Sequence, residues 1–322
     1  MRHIPKLLLI LSCTGAPCTA QPAPAPKTLK VITYNVQFLP GFAGRWNKRA
    51  EPDYRARRIG EEVTGFDIVG LQETFDQRHR RRIIEGVRED WGESLNDVVS
   101  PTADNHITNG GCLILTRRPI LKSDSTVFRH YSSPADYGLR ADGFAAKGVI
   151  HARIALGGEP KAGGPEPKED DLCPVDVYVT HLEARDGAVR LLQYDELAAF
   201  IKKTSDPRLP LILMGDLNTR GMPDTDGNSP YGTLMRLLGE ARPRGGVIDV
   251  WTALKGDAHG GTTEQDSDEN GKRIDYILLG NPKPPARRLK PVAIRVNPYP
   301  DPKVGALSDH SAVEAEFEWP GR

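Results

Sequence analysis

The sequence predicts an α/β (α+β) fold in which two packed, mixed β-sheets are flanked by helices. Short apolar runs rich in β-branched residues alternate with amphipathic helical segments along most of the chain. Three strand-like runs in the middle follow one another without a helix between them, which predicts an antiparallel meander. The final run alternates strictly, with glutamates between Val313, Ala315 and Phe317, as expected for a strand with one buried face.

The first half of the chain alternates strand and helix. Residues 29–34 form a β-branched run that predicts the first strand, and residues 53–63 follow as a helix. Residues 67–71 are mostly apolar and predict a buried strand, and residues 77–90 predict a helix rich in arginine.

The second half begins with the meander and then returns to alternation. The three strands of the predicted meander are residues 111–116, 148–156 and 175–180. The elements predicted after it are helix 189–202, strand 209–214, helix 231–238, strand 273–279 and the terminal strand. Two segments rich in glycine and charge, residues 157–174 and 257–272, are predicted to be surface insertions.

The N-terminal residues predict an export signal. Two basic residues, Arg2 and Lys6, precede an apolar run that is too short to span a bilayer, and small residues follow it. Two cleavage positions fit this pattern. Either residues 1–20 are a conventional signal peptide, or a lipoprotein signal ends before Cys13, which would then carry the lipid.

The segment after the leader predicts a tether and one domain. Residues 21–28 are dominated by Pro and Ala, which indicates a stiff, extended linker. Residues 29–322 are long enough for a single large domain with a sizeable core. The protein is therefore expected to be secreted, or held in the periplasm or at the outer surface of a bacterium. A lipid anchor at Cys13 is the alternative to free release.

The overall charge is balanced. Lys+Arg and Asp+Glu both number 43, so the formal net charge is zero. Proteins that bind nucleic acid processively rely on neutralising phosphates with basic residues. The balance is therefore mild evidence against a processive nuclease, although a local basic face is compatible with it.

The two cysteines of the predicted domain, Cys112 and Cys173, lie near the starts of candidate strands. In an oxidising compartment they could pair, and two buried free thiols are an equally good prediction. No clustered Cys/His spacing indicates structural zinc.

Polar residues follow most of the predicted strands and are expected to meet at one edge of the sheets. These residues are Asn35, Glu73, His181, Asp216, Asn218, Asp275, Asp309 and His310. Imidazoles, carboxylates and amides collected in this way are suited to metal-assisted hydrolysis of phosphate esters. No single pair of them could perform it.

The chemistry of each residue type suggests a role. Glu73 is the best candidate ligand for a hard divalent ion such as Mg²⁺, with Mn²⁺ or Co²⁺ as alternatives, and Asp309 is expected to reach the same ion directly or through water. Asn35 would complete the ligand set or hold a phosphoryl oxygen. His310 is the predicted general base, because an imidazole titrates near neutrality.

The remaining polar residues are expected to act on the phosphoryl group. His181 would donate to a phosphoryl oxygen or protonate the leaving group. Asp216 and Asn218, two residues apart after a buried strand, would orient the water and stabilise the pentavalent state.

The motifs in these segments, and their order along the chain, resemble those of the endonuclease/exonuclease/phosphatase superfamily, the deoxyribonuclease-like metallophosphoesterases. The resemblance covers residues 29–317. Gly-Asp-x-Asn at residues 215–218 and Ser-Asp-His at residues 308–310 carry much of this resemblance. It implies a four-layer α/β/β/α sandwich of two mixed sheets. It also implies that Asp275 fixes the tautomer of His310.

Within the superfamily the chain resembles the neutral sphingomyelinases, especially the secreted bacterial ones. The motifs that indicate this resemblance are Glu-Thr-Phe-Asp at residues 73–76, Thr-His-Leu-Glu-Ala at residues 180–184, and Asp142 followed by Lys147-Gly148. This resemblance implies that Phe75 shapes a headgroup pocket. It also implies that Lys147, with Asp142 before it, contacts the substrate phosphate.

The chain departs from that branch in one segment. Secreted bacterial sphingomyelinases have an aromatic-tipped hairpin before Ser-Asp-His that enters the membrane. Here residues 297–303 are short and rich in proline, and Tyr299 is their only aromatic residue. Access to lipid would instead come from an anchor or from the basic run 78–82, which could attract anionic lipid or a DNA backbone equally well.

The sequence therefore predicts a Mg²⁺-dependent phosphodiesterase that hydrolyses a sphingomyelin-type phospholipid to ceramide and phosphocholine. The expected protein is a monomer in peripheral or lipid-anchored contact with a membrane. A secreted endonuclease acting on nucleic acid and an inositol-phosphate phosphatase are alternatives that use the same site. A surface binding protein that kept the fold and lost the chemistry is the non-enzymatic alternative.

Overall fold

The computed structural model describes residues 27–40, 49–138, 141–158, 171–221, 228–264, 271–283 and 287–319. The predicted leader, Cys13 and residues 21–26 of the predicted tether lie outside the described residues. Much of the predicted insertion 157–174 and residues 265–270 of the second insertion also lie outside them. Within the described ranges, none of the helices combines the length and the apolar character needed to cross a membrane.

Fourteen strands are present in the described residues. In chain order they are β1 (Lys27–Phe38), β2 (Ile68–Thr74), β3 (Asn96–Val99), β4 (Leu113–Thr116), β5 (Ile120–Val127), β6 (Gly148–Ala155), β7 (Pro174–His181), β8 (Leu211–Asp216), β9 (Ile248–Asp249), β10 (Asp275–Gly280), β11 (Lys290–Asn297), β12 (Pro300–Asp301), β13 (Gly305–Ala306) and β14 (Ala312–Trp319). The first sheet has the order β11-β14-β1-β2-β4-β3 and the second β5-β6-β7-β8-β10-β9. In each sheet one central pair is parallel, β1 with β2 and β7 with β8, and the other pairs are antiparallel.

The helices cover the outer faces of the sheets. They are α1 (Pro52–Glu62), α2 (Gln77–Trp91), α3 (Pro134–Tyr137), α4 (Gly187–Thr204), α5 (Pro230–Ala241) and α6 (Val250–Lys255), with short 3₁₀ turns at Val63–Gly65, Gly92–Ser94 and Asp142–Phe144. Several begin with a side-chain cap. Asp76 caps α2, Asp186 caps α4 and Ser229 caps α5, each accepting from backbone N–H groups of the first turn.

Three apolar clusters define four layers. Ile59 of α1 and Ile83 of α2 pack with Ile32 and Val69 on the outer face of the first sheet. The inner faces of the two sheets meet in a second cluster, and α4 and α5 pack on the outer face of the second sheet in a third. The predicted four-layer α/β/β/α sandwich is therefore confirmed.

The predicted meander is wrong in one respect. β4 belongs to the first sheet, whereas β6 and β7 belong to the second, and their antiparallel neighbour is β5. Both faces of β4 are buried, so its apolar run does not indicate which sheet it joins. β5 escaped prediction because it is a polar edge strand with little apolar periodicity.

Gly215 allows β8 to lie close to β7 at the end of their parallel pairing. Its φ is 146°, and a Cβ at this position would lie 2.0 Å from the carbonyl oxygen of Thr180. Only glycine fits such an approach. The glycine of Gly-Asp-x-Asn is therefore required by the sheet, and it fixes where Asp216 emerges.

The short hairpin β12–β13 keeps its one aromatic residue inside the protein. Tyr299 is 8% exposed, its hydroxyl donates to Glu314 Oε1 at 2.8 Å, and its ring lies 5.6 Å from that of Tyr34. Glu314 is itself buried in β14, although the alternation of this strand predicted its glutamates on the outer face. The hairpin therefore presents no aromatic side chain to a membrane.

No disulfide joins Cys112 and Cys173, the two cysteines of the described residues. Cys112 is buried and Cys173 is partly buried. Burial raises the pKa of the Cys112 thiol to about 12, so this group is un-ionised and unreactive at neutral pH.

Asp176 should be a pH-dependent contributor to stability. This fully buried carboxylate accepts from His151 Nε2 at 2.9 Å, from the guanidinium of Arg153 and from the backbone N–H of Asp206. Burial opposes ionisation, but these hydrogen bonds outweigh it and hold the pKa of Asp176 below its ordinary value. The carboxylate therefore stabilises the fold above about pH 4, and its contribution disappears as the pH falls through the lowered pKa.

Asp176→Asn should lower the free energy of unfolding at pH 7 by about 3 kcal/mol, because it leaves buried donors without their charged partner. Urea unfolding at pH 7 and at successively lower pH measures this, and the difference from wild type should shrink with acidification. A difference that does not change with pH would contradict the assignment.

Candidate active site

The predicted polar residues meet where the central strands of both sheets end. Because β1 and β2 are parallel, Asn35 and Glu73 lie at the same edge of the first sheet. β7 and β8 are also parallel, so His181 and Asp216 pair at their ends. β10 runs antiparallel to β8 and begins with Asp275 opposite Asp216.

Asn35 joins the two sheets through its side chain. Its Nδ2 donates to Glu73 Oε1 and to Asp216 Oδ2, both at 3.0 Å, so one amide holds a carboxylate from each sheet. Asn35 Oδ1 accepts from the backbone N–H of Gln37 at 3.2 Å. Glu73 has a φ of 58°, a strained conformation for a non-glycine residue that turns its carboxylate toward the site.

His310 is held by Asp275, as the resemblance implied. The two side chains lie 2.8 Å apart, Nδ1 to Oδ2. Because an ionised carboxylate only accepts, Nδ1 of His310 carries the proton and donates it. His310 Nε2 then lies toward the pocket, 3.9 Å from Asp216 Oδ2.

The segment before His310 is tied to β1. Gln37 Nε2 donates to Asp309 Oδ2, and Ser308 Oγ donates to the carbonyl oxygen of Asn35 at 2.7 Å. Sequence reasoning missed Gln37, whose φ is 53° and whose strand position alone gives no functional signal. It also missed Ser308 as the residue that anchors the loop.

A second polar group in the cavity lining consists of the buried Lys147 and His181 and the partly exposed Asp142. Lys147 Nζ lies 2.7 Å from Asp142 Oδ2, 2.9 Å from the carbonyl oxygen of Leu182 and 3.2 Å from His181 Nε2. Asp142 also accepts from the backbone N–H of Ala184. The structure thus brings the predicted substrate-binding lysine next to the predicted catalytic histidine.

This contact constrains the state of His181. Burial and the charge of Lys147 lower the pKa of His181 well below its ordinary value, so the imidazole is neutral. An ammonium group only donates, so His181 Nε2 accepts from Lys147 and the proton is on Nδ1. His181 was predicted to donate to a phosphoryl oxygen, and that role would require its proton to be placed differently. The ammonium group of Lys147, which lies next to it, already carries protons.

Asn218 and Phe75 complete the predicted set. Asn218, with a φ of 47°, donates its backbone N–H to Asp216 Oδ1 and its Nδ2 to the carbonyl oxygen of Leu182. Phe75 is buried with its ring centroid 6.4 Å from that of His181. Gly111 permits this position, because its φ is 72° and a Cβ there would lie 2.5 Å from the Phe75 ring.

These residues surround a cavity of about 480 Å³. We call the polar group formed by Glu73, Asp216, Asp309 and His310 the floor of this cavity, and apolar side chains make up another part of its lining. The lining residues are Gln37, Leu39, Pro40, Glu73, Phe75, Ala141, Asp142, Phe144, Ala145, Lys147, His181, Ala184, Arg185, Asp216, Asn218, Asp309 and His310. Asn35 and Asp275 lie behind this surface and support it.

The floor has more acidic than basic groups. Burial and the charge of Asp309 raise the pKa of Glu73 to about 7, and burial and the charge of Asp275 raise that of Asp216 to about 6. Burial opposes protonation of His310, but the surrounding carboxylates outweigh it and raise its pKa well above the ordinary value. Besides burial, the charges of neighbouring carboxylates contribute to all three shifts, and a divalent cation would offset those charges.

The donor atoms fit such a cation. One ligand atom from each of Glu73, His181 and Asp216 lies within 4.8 Å of the others, and the same holds for Asp216, Asp275 and His310. Carboxylate oxygens predominate, which favours a hard ion such as Mg²⁺ or Mn²⁺. Glu73 and Asp216 are the residues here best placed to hold it.

Arg55 links the two chain segments that lead to the predicted site residues Asn35 and His310. This fully buried guanidinium donates to the carbonyl oxygens of Leu307 at 2.7 Å and Val36 at 3.0 Å, and it lies over the ring of Phe38. Burial lowers the pKa of Arg55 to about 10, so it stays charged at neutral pH. It was missed in an arginine-rich helix, although its spacing from Ile59 places it on the buried face.

Arg55→Lys should lower kcat about tenfold or more, because a lysine cannot hold both carbonyl groups in a fixed fork. Arg242→Lys is the matched control. Arg242 is also buried and donates to two carbonyl groups, those of Asp206 and Leu209, away from the site. Steady-state kinetics and thermal unfolding of both variants test this, and equal kcat values at equal stability would reduce Arg55 to a structural role.

Part of the second predicted insertion supports the site, which corrects its interpretation as surface decoration. Thr263 pairs with His310 in a short antiparallel bridge, and Glu264 donates its backbone N–H to the carbonyl oxygen of Asp309 at 2.8 Å. Thr262 is buried, and its Oγ1 accepts from the backbone N–H of Asp275. Composition alone did not distinguish these threonines from the glycine-rich residues around them.

The basic run on α2 is only partly paired. Arg78 and Arg82 share one carboxylate, that of Asp53, and Arg80 donates to the carbonyl oxygen of Thr74. The helix therefore keeps positive charge, and it does not distinguish an anionic lipid from a nucleic-acid backbone.

Comparison with known proteins agrees with this arrangement. The sequence model of the Endonuclease/Exonuclease/phosphatase family matches residues 32–310. The chain belongs to this family. It is thereby a member of a family of metal-dependent phosphoester hydrolases.

Its relatives in the Endonuclease/Exonuclease/phosphatase family include sphingomyelinases. Sphingomyelinase C 2 of Leptospira interrogans serogroup Icterohaemorrhagiae serovar Lai (strain 56601) is 26% identical over 272 residues, which cover 78% of this chain and 39% of that protein. A putative neutral sphingomyelinase of Caenorhabditis elegans is 26% identical over 331 residues, covering 91% and 67%. The chain thus spans about two fifths of the Leptospira protein.

Solved structures show the same fold. A beta toxin mutant from Staphylococcus aureus with bound magnesium ions superimposes with a TM-score of 0.62 at 18% identity, covering 90% of this chain and 99% of that chain. The TDP2 protein of D. rerio complexed with single strand DNA product gives a TM-score of 0.60 at 18% identity, covering 90% and 98%. At these identities the likeness concerns the fold of the Endonuclease/Exonuclease/phosphatase family.

Proposed function

We propose that the protein is a divalent-metal-dependent phosphodiesterase whose general base is His310. The observation that carries this proposal is the His310–Asp275 pair beside closely spaced carboxylates whose charges a divalent cation would offset. A bound divalent ion would neutralise the phosphoryl oxygens and lower the pKa of the attacking water.

In this proposal, other side chains accept the proton, position the carboxylates and donate hydrogen bonds. Asp275 holds Nδ1 of His310, so Nε2 of His310 takes the proton from water once the imidazole is neutral. Asn35 keeps Glu73 and Asp216 at a fixed separation. Lys147 donates hydrogen bonds near the phosphoryl position, and Asn218 lies beside it on the same wall.

We propose a sphingomyelin-type phospholipid as the substrate, cleaved to ceramide and phosphocholine. The apolar part of the cavity lining suits an amphiphile, and Phe75, whose ring lies near that of His181, offers a ring face for a quaternary ammonium group. The sphingomyelinase relatives support the same choice. A nucleic-acid substrate is less well supported, because a formal net charge of zero gives the protein no overall attraction to a phosphate backbone.

The test is release of phosphocholine from sphingomyelin in mixed micelles, with Mg²⁺ and with EDTA. Metal-dependent release is the expected result. Metal-dependent cleavage of single-stranded DNA or inositol phosphates without release of phosphocholine would keep the phosphoesterase assignment and overturn the substrate. No hydrolysis of any phosphoester with Mg²⁺ or Mn²⁺ would overturn both.

A further inference from the structure

The mouth of the cavity has an apolar rim. We use this name for four residues, Leu39, Pro40, Ile107 and Phe144. Leu39, Pro40 and Phe144 line the cavity and are each partly exposed, and Ile107 is 65% exposed. Among the exposed large hydrophobic residues of the described chain, Ile107 is the most exposed. An apolar side chain held in water beside a pocket is typical of a surface that meets an apolar partner.

The position of Ile107 is fixed by the backbone. The N–H groups of Ile107 and Thr108 both donate to the carbonyl oxygen of Phe144, at 2.9 and 3.1 Å, and Ala146 donates back to Thr108 at 3.1 Å. Thr108 and Ala145 form a short parallel bridge. The Ile107 side chain is therefore attached to the cavity wall itself, and its exposure is a property of the folded site.

The same cavity has a cationic residue in its lining. This residue, Arg185, is exposed, and its guanidinium makes no ion pair with any carboxylate in the described part of the chain. A guanidinium in this position can bind the phosphate of a lipid headgroup with two hydrogen bonds. A cation and apolar residues in the lining of one cavity match a membrane surface, which offers phosphates next to acyl chains.

The hairpin that the family resemblance associates with membranes cannot take this part, because Tyr299 is buried against Tyr34 and Glu314. We propose that the apolar rim and Arg185 dock on the headgroup and upper acyl region of a zwitterionic lipid bilayer. Docking there would place a lipid phosphodiester above the floor that holds Glu73 and His310. This inference rests on the proposed lipid substrate, and it names the surface that reaches it.

The experiment compares Ile107→Ser with Leu121→Ser in the full chain. Leu121 is the matched control, because it is 43% exposed and lines a separate cavity with Arg153 and Leu209, at the end of the second sheet away from the site. Binding to large vesicles of sphingomyelin and phosphatidylcholine is measured by sedimentation. Turnover is measured on the same vesicles and on the water-soluble diester bis(p-nitrophenyl) phosphate.

For Ile107→Ser, vesicle binding should weaken about tenfold, the loss expected for one apolar side chain, and the ratio of vesicle to soluble turnover should fall similarly. Leu121→Ser should match wild type in both. Equal vesicle binding by the two variants, or no vesicle binding by wild type, would overturn the docking surface while leaving the phosphodiesterase proposal standing. Loss of vesicle binding in Ile107→Ser without any release of phosphocholine by wild type would support docking and overturn the substrate. Thermal unfolding checks that both variants are folded.

Discussion

Glu73→Gln should lower metal-dependent turnover about 10³-fold or more while leaving the fold intact. The substitution preserves size and removes the carboxylate charge that a hard divalent ion requires. The amide of Asn35 lies 3.0 Å from Glu73 Oε1 and can still bond the glutamine oxygen, so the local packing is kept. The expected loss is therefore in metal binding.

Two measurements separate that loss from a general defect. Turnover is followed as a function of Mg²⁺ concentration, and Mn²⁺ binding is followed by electron paramagnetic resonance. Glu316→Gln, on the partly exposed face of β14, is the control and should behave as wild type. Wild-type activity of Glu73→Gln at saturating Mg²⁺ would exclude Glu73 as a required ligand.

His310→Ala should lower kcat about 10³-fold with little change in KM. Removing a positioned general base costs catalysis but leaves substrate contacts in place. Asp275→Asn should lower kcat in the same direction, because an asparagine can donate to Nδ1 and so favour the wrong tautomer. Steady-state kinetics on a soluble diester measure both.

His130→Ala is the control for removal of an imidazole. His130 is exposed and pairs with Glu196 on the surface. If His310→Ala raised KM and left kcat unchanged, His310 would bind substrate and another group would take the proton.

The sequence predicted the layers and most of the residues that meet in the cavity, because both depend on local patterns. Apolar periodicity located most of the strands, and the polar residues at their ends had to meet once the strands paired in parallel. Asp275 could be paired with His310 only through family resemblance, because 34 residues lie between them. Their contact depends on β10 running antiparallel to β8.

The features that the sequence did not predict depend on tertiary contacts. Arg55 looks like a surface residue among other arginines, and its role arises only when α1 covers the junction of Val36 and Leu307. The placement of β4 in the first sheet cannot be read from an apolar run, because both inner and outer faces of that sheet are buried. The protonation of His181 depends on Lys147, which is 34 residues away in the chain.

The two hydrogen bonds that Asn35 donates, one to Glu73 and one to Asp216, have a consequence for folding. One carboxylate comes from each sheet, so neither half of the domain can assemble the site alone. During refolding, enzymatic activity should return only when the two sheets dock, after the secondary structure of each has formed. The rate at which activity recovers would then report the final step in assembly of the sandwich.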